Sequence, residues 1–193
     1  MKRLLALLST FPFMLGVCSA EDVVSTEDII KSLKATTAPA ERIQAIDVVN
    51  RLKAKIAVVP RGDAVAAAPL QTPEIDALAT LSMEILFEYD SVVVKNQSLP
   101  ALVQLGNALI SNELAGSKFL LIGHTDAKGA RQYNVKLSER RALAIKDFLQ
   151  ASFPASQEQL TAIGFGEEKP LNLDDPESAK NRRVQIVNLG SSQ

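Results

Sequence analysis

Three positions combine charge with a spacing suited to holding a small charged ligand. Asp126 lies in the turn Gly123-His124-Thr125-Asp126-Ala127-Lys128-Gly129, directly after the apolar run Phe119 to Ile122. Strand ends in open α/β sheets commonly border binding crevices, so a carboxylate there is a candidate ligand group. Arg141 stands four residues after Leu137 and four before Ile145. The helical period therefore sets a guanidinium on an otherwise apolar stripe. Asn181-Arg182-Arg183 precedes a last apolar strand. An arginine on a buried stripe needs a carboxylate partner, because burial without one is costly. Two readings follow. Asp126 and Arg141 form a structural ion pair, which is the commoner arrangement in proteins. Alternatively they flank a zwitterion, with Asp126 taking an ammonium and Arg141 holding a carboxylate by two parallel hydrogen bonds.

Other chemistry finds little support in the residues. His124 and Asp126 are two apart, but the chain has one His and one Cys, which excludes a multi-histidine or cysteine metal site. Ser138 lacks the G-x-S-x-G context of a nucleophile elbow. Of Arg182 and Arg183, one is expected to face a ligand or carboxylate and the other solvent, since successive strand residues point to opposite faces. Gly123 and Gly129 are read as relaxing the turn, Gly129 with positive φ.

These residues need a scaffold, and the sequence outlines one. Leu81 to Tyr89 reads as a strand, with Met83, Ile85 and Phe87 alternating against Glu84 and Glu88. Ser98 is a candidate helix cap, with Pro100 in the first turn and Leu102, Val103, Leu109 and Ile110 as the apolar face. Phe119 to Ile122 suits a buried central strand. A long helix from about 132 to 152 carries Leu137, Ala144, Ile145 and Phe148. Leu160 to Phe165 and Val184 to Leu189 supply two further strands. Alternating strands and helices predict an α/β sandwich with helices packed on one sheet.

The earlier residues have a different texture. Met1-Lys2-Arg3, an apolar stretch to Val17 and Cys18-Ser19-Ala20 describe a secretory signal peptide over 1–20. Cleavage after Ala20 is the preferred reading; acylation of Cys18 as a lipoprotein is the rival, with Val17 where a smaller residue is usual. Removing 1–20 leaves 19 basic and 22 acidic residues, a charge of −3. Residues 21–75 show two weak helical patterns, then an Ala- and Pro-rich run from Ala64 to Pro73 that suits a linker. They read as a spacer or as a docking element for an envelope partner. Near-balanced charge and 5% aromatic content without Trp give no nucleic-acid signature.

Taken in order, the pieces GHTD (123–126), YN (133–134), LSERRA (137–142), GFGEEKP (164–170) and NRRV (181–184) resemble the OmpA-like peptidoglycan-binding domain family over about residues 80–190. The resemblance implies a β-α-β-α-β-α-β domain with its helices on one four-stranded mixed sheet, occupying 76–190 and followed by a short tail, 191–193. It also implies non-catalytic binding of the peptidoglycan stem peptide through its diaminopimelate residue, with no cofactor. Carried over residue by residue, Asp126 and Arg141 hold the diaminopimelate. Asn134 and Leu137 belong to the same wall, with Thr125 in the turn. Arg182 contributes from the NRRV piece, and Asp90 lies where relatives keep a polar residue. The expected setting is the periplasm, wall-associated and with the outer membrane as a possible neighbour, with a wall hydrolase as the rival enzymatic reading.

Overall fold

In a computed structural model of the chain, residues 24–34, 45–58, 69–88, 91–153 and 159–191 are described. The signal-peptide stretch with Cys18, the candidate site residue Asp90 and the last two residues lie outside them.

Helices α1 (Thr26–Lys34), α2 (Ala45–Val58) and the single turn α3 (Pro73–Asp76) precede strand β1 (Thr80–Met83). Then come α4 (Leu99–Leu109), β2 (Ser117–His124), α5 (Arg131–Ser152), β3 (Leu160–Gly166) and β4 (Val184–Ser191). The sheet order is β1-β4-β2-β3. β2 runs parallel to β3, while β4 is antiparallel to both β1 and β2. The expected α+β class with a four-stranded mixed sheet is what forms. Between β3 and β4, however, there is only a 3₁₀ turn, Ala179–Asn181, where a third helix was expected. The Asn181 side chain explains the compact loop. Its Oδ1 accepts from the N–H of Leu171 and Asn172 at 2.8 Å each, and its Nδ2 donates to Asp175 and Pro176 carbonyls at 3.1 and 2.9 Å.

Alternation along the strands divides the core into two. Phe119 and Leu121 of β2, with Leu160, Ala162, Val184 and Ile186, pack beneath α1, α4 and α5. Leu120 and Ile122, with Ile163, Phe165 and Val187, face the other way and meet Val48, Val49 and Leu52 of α2 and Ile75 of α3. Helices therefore cover both faces of the sheet.

The two weak helical patterns of 21–75 form α1 and α2, and both contribute side chains to the core. Ile29 and Leu33 are fully buried among residues of α4 and the sheet, and Leu52 is fully buried on the opposite face. Ser25 opens α1 with a reciprocal cap, donating from Oγ to Asp28 at 2.7 Å and accepting the Asp28 N–H at 3.2 Å. Asn188 of β4 holds the other end, donating to the Leu33 carbonyl at 2.9 Å. The expected linker also anchors: from 69 onward it is a packed strap, with Thr72 fully buried and the Leu70 N–H bonded to the Glu168 carbonyl at 2.7 Å. Apolar residues at wide spacing gave these segments a weak pattern, yet each places one or two side chains in a core.

Three smaller differences have local causes. The first strand stops at Met83 because its partner β4 begins at Val184. Residues beyond it fold against their own continuation, through a bridge between Phe87 and Val94 and the bond from Lys95 N–H to the Leu86 carbonyl. Ser98 is diverted from capping, its Oγ accepting the Leu86 N–H at 2.9 Å. On α5 the fully buried row is Ser138, Ala142, Ile145 and Leu149, while Ala144 and Phe148 are half-buried. This row faces glycines. A Cβ on Gly123 would lie 2.2 Å from the Ser138 carbonyl oxygen, and one on Gly164 2.3 Å from the Glu139 nitrogen. Gly123 thus serves close helix–sheet approach rather than the turn, whereas Gly129 does take the expected positive φ, 91°.

Candidate functional site

A shallow groove opens where β2 ends, lined by Ile85, Phe87, Gly123, His124, Arg141, Arg182, Arg183 and Val184. β2 delivers His124, Thr125 and Asp126 in succession. The Thr125 N–H bonds to the Gly166 carbonyl at 2.9 Å and the His124 N–H to the Arg183 carbonyl at 2.9 Å, which ties the turn to both neighbouring strand ends.

Asp126 is buried and forms its ion pair with Arg182, Oδ2 to Nη1 at 2.7 Å. The partner anticipated for it, Arg141, is engaged elsewhere. Its Nε donates to the Ser91 carbonyl at 3.2 Å, and its guanidinium carbon lies 4.9 Å from the centre of the Phe87 ring. Cation–π contact and a carbonyl acceptor hold the group over the groove wall. The other Asp126 oxygen, Oδ1, accepts the Lys128 N–H at 3.3 Å. A carboxylate offers about four lone-pair sites, so one protein donor on each oxygen leaves acceptor capacity for a ligand ammonium.

The other candidate residues fall into distinct places. Asn134, at the start of α5, is buried, and its Nδ2 reaches the carbonyls of Asp126 and Lys128 at 3.3 and 3.0 Å and Glu167 Oε2 at 2.5 Å. It fixes the turn that presents Asp126. Leu137 is buried one helical turn before Arg141. Thr125 is buried, with its hydroxyl unpartnered among the described residues. Arg182 both lines the groove and pairs with Asp126, so it joins the two parts of the site.

Arg182 and Arg183 do point to different surroundings, but Arg183 is not in solvent. It is 8% exposed, and its Nη2 and Nη1 donate to the carbonyls of Lys169 at 3.0 Å and Asn181 at 3.4 Å. Among the described residues it makes no ion pair, and burial lowers its pKa to about 10, so it stays charged at neutral pH. His124 is buried with its ring edge against Phe165 and Nε2 3.1 Å from Gln185 Oε1. Burial, and then the Arg183 charge, push its pKa well below the ordinary value, against the opposing Gln185 bond. The ring is neutral at pH 7, and no group of three or more metal-ligating side chains exists among the described residues.

Phe87 and Ile85 line the groove and the Ser91 carbonyl holds Arg141, and none of the three was singled out from the sequence. The alternation of Met83, Ile85 and Phe87 marked a strand, and nothing in it distinguished a residue that would leave the sheet to carry an arginine.

The OmpA family model matches residues 86–183, which contains the turn, α5, the strap-facing loop and the Arg182–Arg183 pair. The chain belongs to the OmpA family. Among relatives of this OmpA family protein, a peptidoglycan-associated lipoprotein of Legionella pneumophila is 34% identical over 104 residues, covering 53% of this chain and 57% of the relative. One from Pseudomonas putida is 39% identical over 104 residues, covering 52% and 59%. The chain thus spans well under two thirds of these curated relatives. A solved MotB-like protein from Desulfovibrio vulgaris matches with a TM-score of 0.51 at 20% identity, over 87% of this chain and 97% of that one. That likeness concerns the fold alone. Among the described residues no helix is long and apolar enough to cross a membrane.

Proposed function

We propose that this OmpA family protein binds peptidoglycan without cleaving it, gripping the diaminopimelate of the stem peptide and so anchoring an exported envelope protein to the wall. The observation that carries the reading is the groove that Arg141 and Arg182 line from two elements, while Asp126, tied to Arg182, keeps acceptor capacity. The far end of diaminopimelate is a zwitterion. Its carboxylate fits the guanidinium of Arg141, which can donate in parallel, and its ammonium fits Asp126. Leu137 and Phe87 would flank the methylene stem. The relatives named as peptidoglycan-associated support the wall as the target.

A non-catalytic role agrees with how the nearby acids are used. Glu167 accepts from Asn134, and Glu168 is clamped by Arg131, so both are committed to holding the turn and the helix start. Export through residues 1–20 and release into the periplasm complete the proposal. Anchoring within a larger envelope assembly is the second reading. It is favoured by Leu171 and Leu173, 61% and 64% exposed on the loop that Asn181 holds compact.

The test is calorimetric titration of the chain from residue 21 onward with a diaminopimelate tripeptide and with the lysine tripeptide, which keeps the ammonium but lacks the side-chain carboxylate. The diaminopimelate form should bind about tenfold or more tighter, the worth of a charge-assisted pair. Arg141→Ala should abolish that preference. Equal binding of the two tripeptides would overturn the proposal.

A further inference from the structure

The strap that precedes β1 touches the same loop that anchors the groove. Lys169 is gripped on one side, where its Nζ donates to Thr72 Oγ1 at 2.6 Å and pairs with Asp76. Thr72 in turn donates to Asp76 Oδ1 at 3.0 Å, so the two strap residues are locked together. On its other side the Lys169 carbonyl accepts from Arg183 Nη2. The neighbouring residue is held as well: the Glu168 carbonyl takes the Leu70 N–H, and its carboxylate clamps Arg131 at the start of α5.

Arg183 matters because it is buried and charged, and among the described residues it is held only by carbonyl oxygens. Its Nε has no partner among the described residues, so this buried guanidinium depends on where the two carbonyls that hold its Nη atoms sit. If the Lys169 carbonyl shifts, the Arg183 side chain must shift or lose a bond. The backbone between Asn181 and Val184 carries Arg182 directly beside it, and Arg182 lines the groove and pairs with Asp126.

We propose that the strap, residues 69–76, is a positioning element of the binding groove, acting through Lys169 on Arg183 and thereby on the Arg182–Asp126 pair. This rests on the ligand-binding reading of the groove given above. The N-terminal stretch is then part of the binding apparatus, and a partner or tether that pulls on it weakens the grip on the wall. Linkage requires the converse: a bound stem peptide strengthens the strap's hold.

The test compares the full chain with Lys169→Met, Lys169→Arg and Lys55→Met. Lys55 joins α2 to Glu74 at 2.6 Å, so its loss removes a strap contact that is not part of the Thr72–Asp76–Lys169 link and leaves that link in place. Binding of the diaminopimelate tripeptide should fall about three- to tenfold in Lys169→Met, the range for one lost charge-assisted contact acting through a neighbour. Lys169→Arg should recover most of it, and Lys55→Met should bind as wild type. Equal binding by Lys169→Met and wild type overturns the proposal. So does an equal loss in Lys55→Met, which would mark general loosening. The Nε–Hε resonance of Arg183 supplies a readout that needs no ligand. It should move in Lys169→Met and stay in place in Lys55→Met; an unmoved resonance in Lys169→Met also overturns the coupling. Should the wild type fail to bind any tripeptide, the wall-binding reading falls, and this resonance alone decides whether the strap positions Arg183.

Discussion

His124 makes the pH dependence of stability readable, because it is the only histidine in the chain. Its ring is buried against Phe165 and near the Arg183 charge, and burial first and that charge second hold its pKa well below the ordinary value against the opposing bond to Gln185. The unfolded ring takes up a proton as pH falls through about 6.5, while the native ring stays neutral. The unfolded state therefore binds more protons, and stability declines as pH drops below that point until the native ring itself titrates. With a slope of about 1.4 kcal/mol per pH unit, moving from pH 7.5 to 5.0 costs about 2 kcal/mol for a ring that remains neutral throughout. At about 2–4 °C per kcal/mol for a domain of this size, the melting temperature should fall by about 4–8 °C. Glu74, whose pKa is lowered chiefly by its bond from Lys55, moves its own contribution further below this window. The assay is thermal and urea denaturation between pH 7.5 and 5.0 for wild type and His124→Gln, which retains a donor toward Gln185. Wild type should lose stability over the interval and His124→Gln should be nearly flat. The same decline in both proteins would refute the assignment of a neutral buried ring.

Three further outcomes follow from packing. Gly164→Ala should destabilise by about 3 kcal/mol or more, because the added carbon would meet backbone atoms of Glu139 and Val135 that cannot swing aside; denaturant unfolding measures it. Leu33→Ala should cost about 2–5 kcal/mol in the same assay, since this fully buried side chain belongs to the main core despite lying in the N-terminal stretch. Asn181→Ala should raise hydrogen exchange at the amides of Leu171 and Asn172, which lose their shared acceptor, and should weaken tripeptide binding by loosening the approach to Arg182.

Much of the scaffold was legible because its signals are local. Phe119 to Ile122 is an unbroken apolar run and did become an interior strand, and the helix with Leu137 and Ile145 was bounded to within one residue. The site was only half legible. Residue types and positions marked Asp126, Arg141 and Arg182, but the partner of Asp126 is 56 residues away, and no spacing rule could choose between two arginines. The strap was hidden for a different reason. Its composition is that of a linker, and its anchoring depends on single residues: Leu70 meets Glu168, Thr72 and Asp76 share Lys169, and Ile75 enters the core. Gly123 likewise looked like a turn residue until α5 was seen against it.

The most direct measurement is co-sedimentation with purified diaminopimelate-type sacculi. The protein should be the chain from residue 21 onward, because shorter versions lacking α1 and α2 would strip side chains from both cores. Wild type is compared with Asp126→Ala and Arg141→Ala, with folding checked by circular dichroism. The account predicts that wild type pellets with the wall while both folded variants stay in the supernatant. Pelleting of all three to the same extent, or of none, would contradict it.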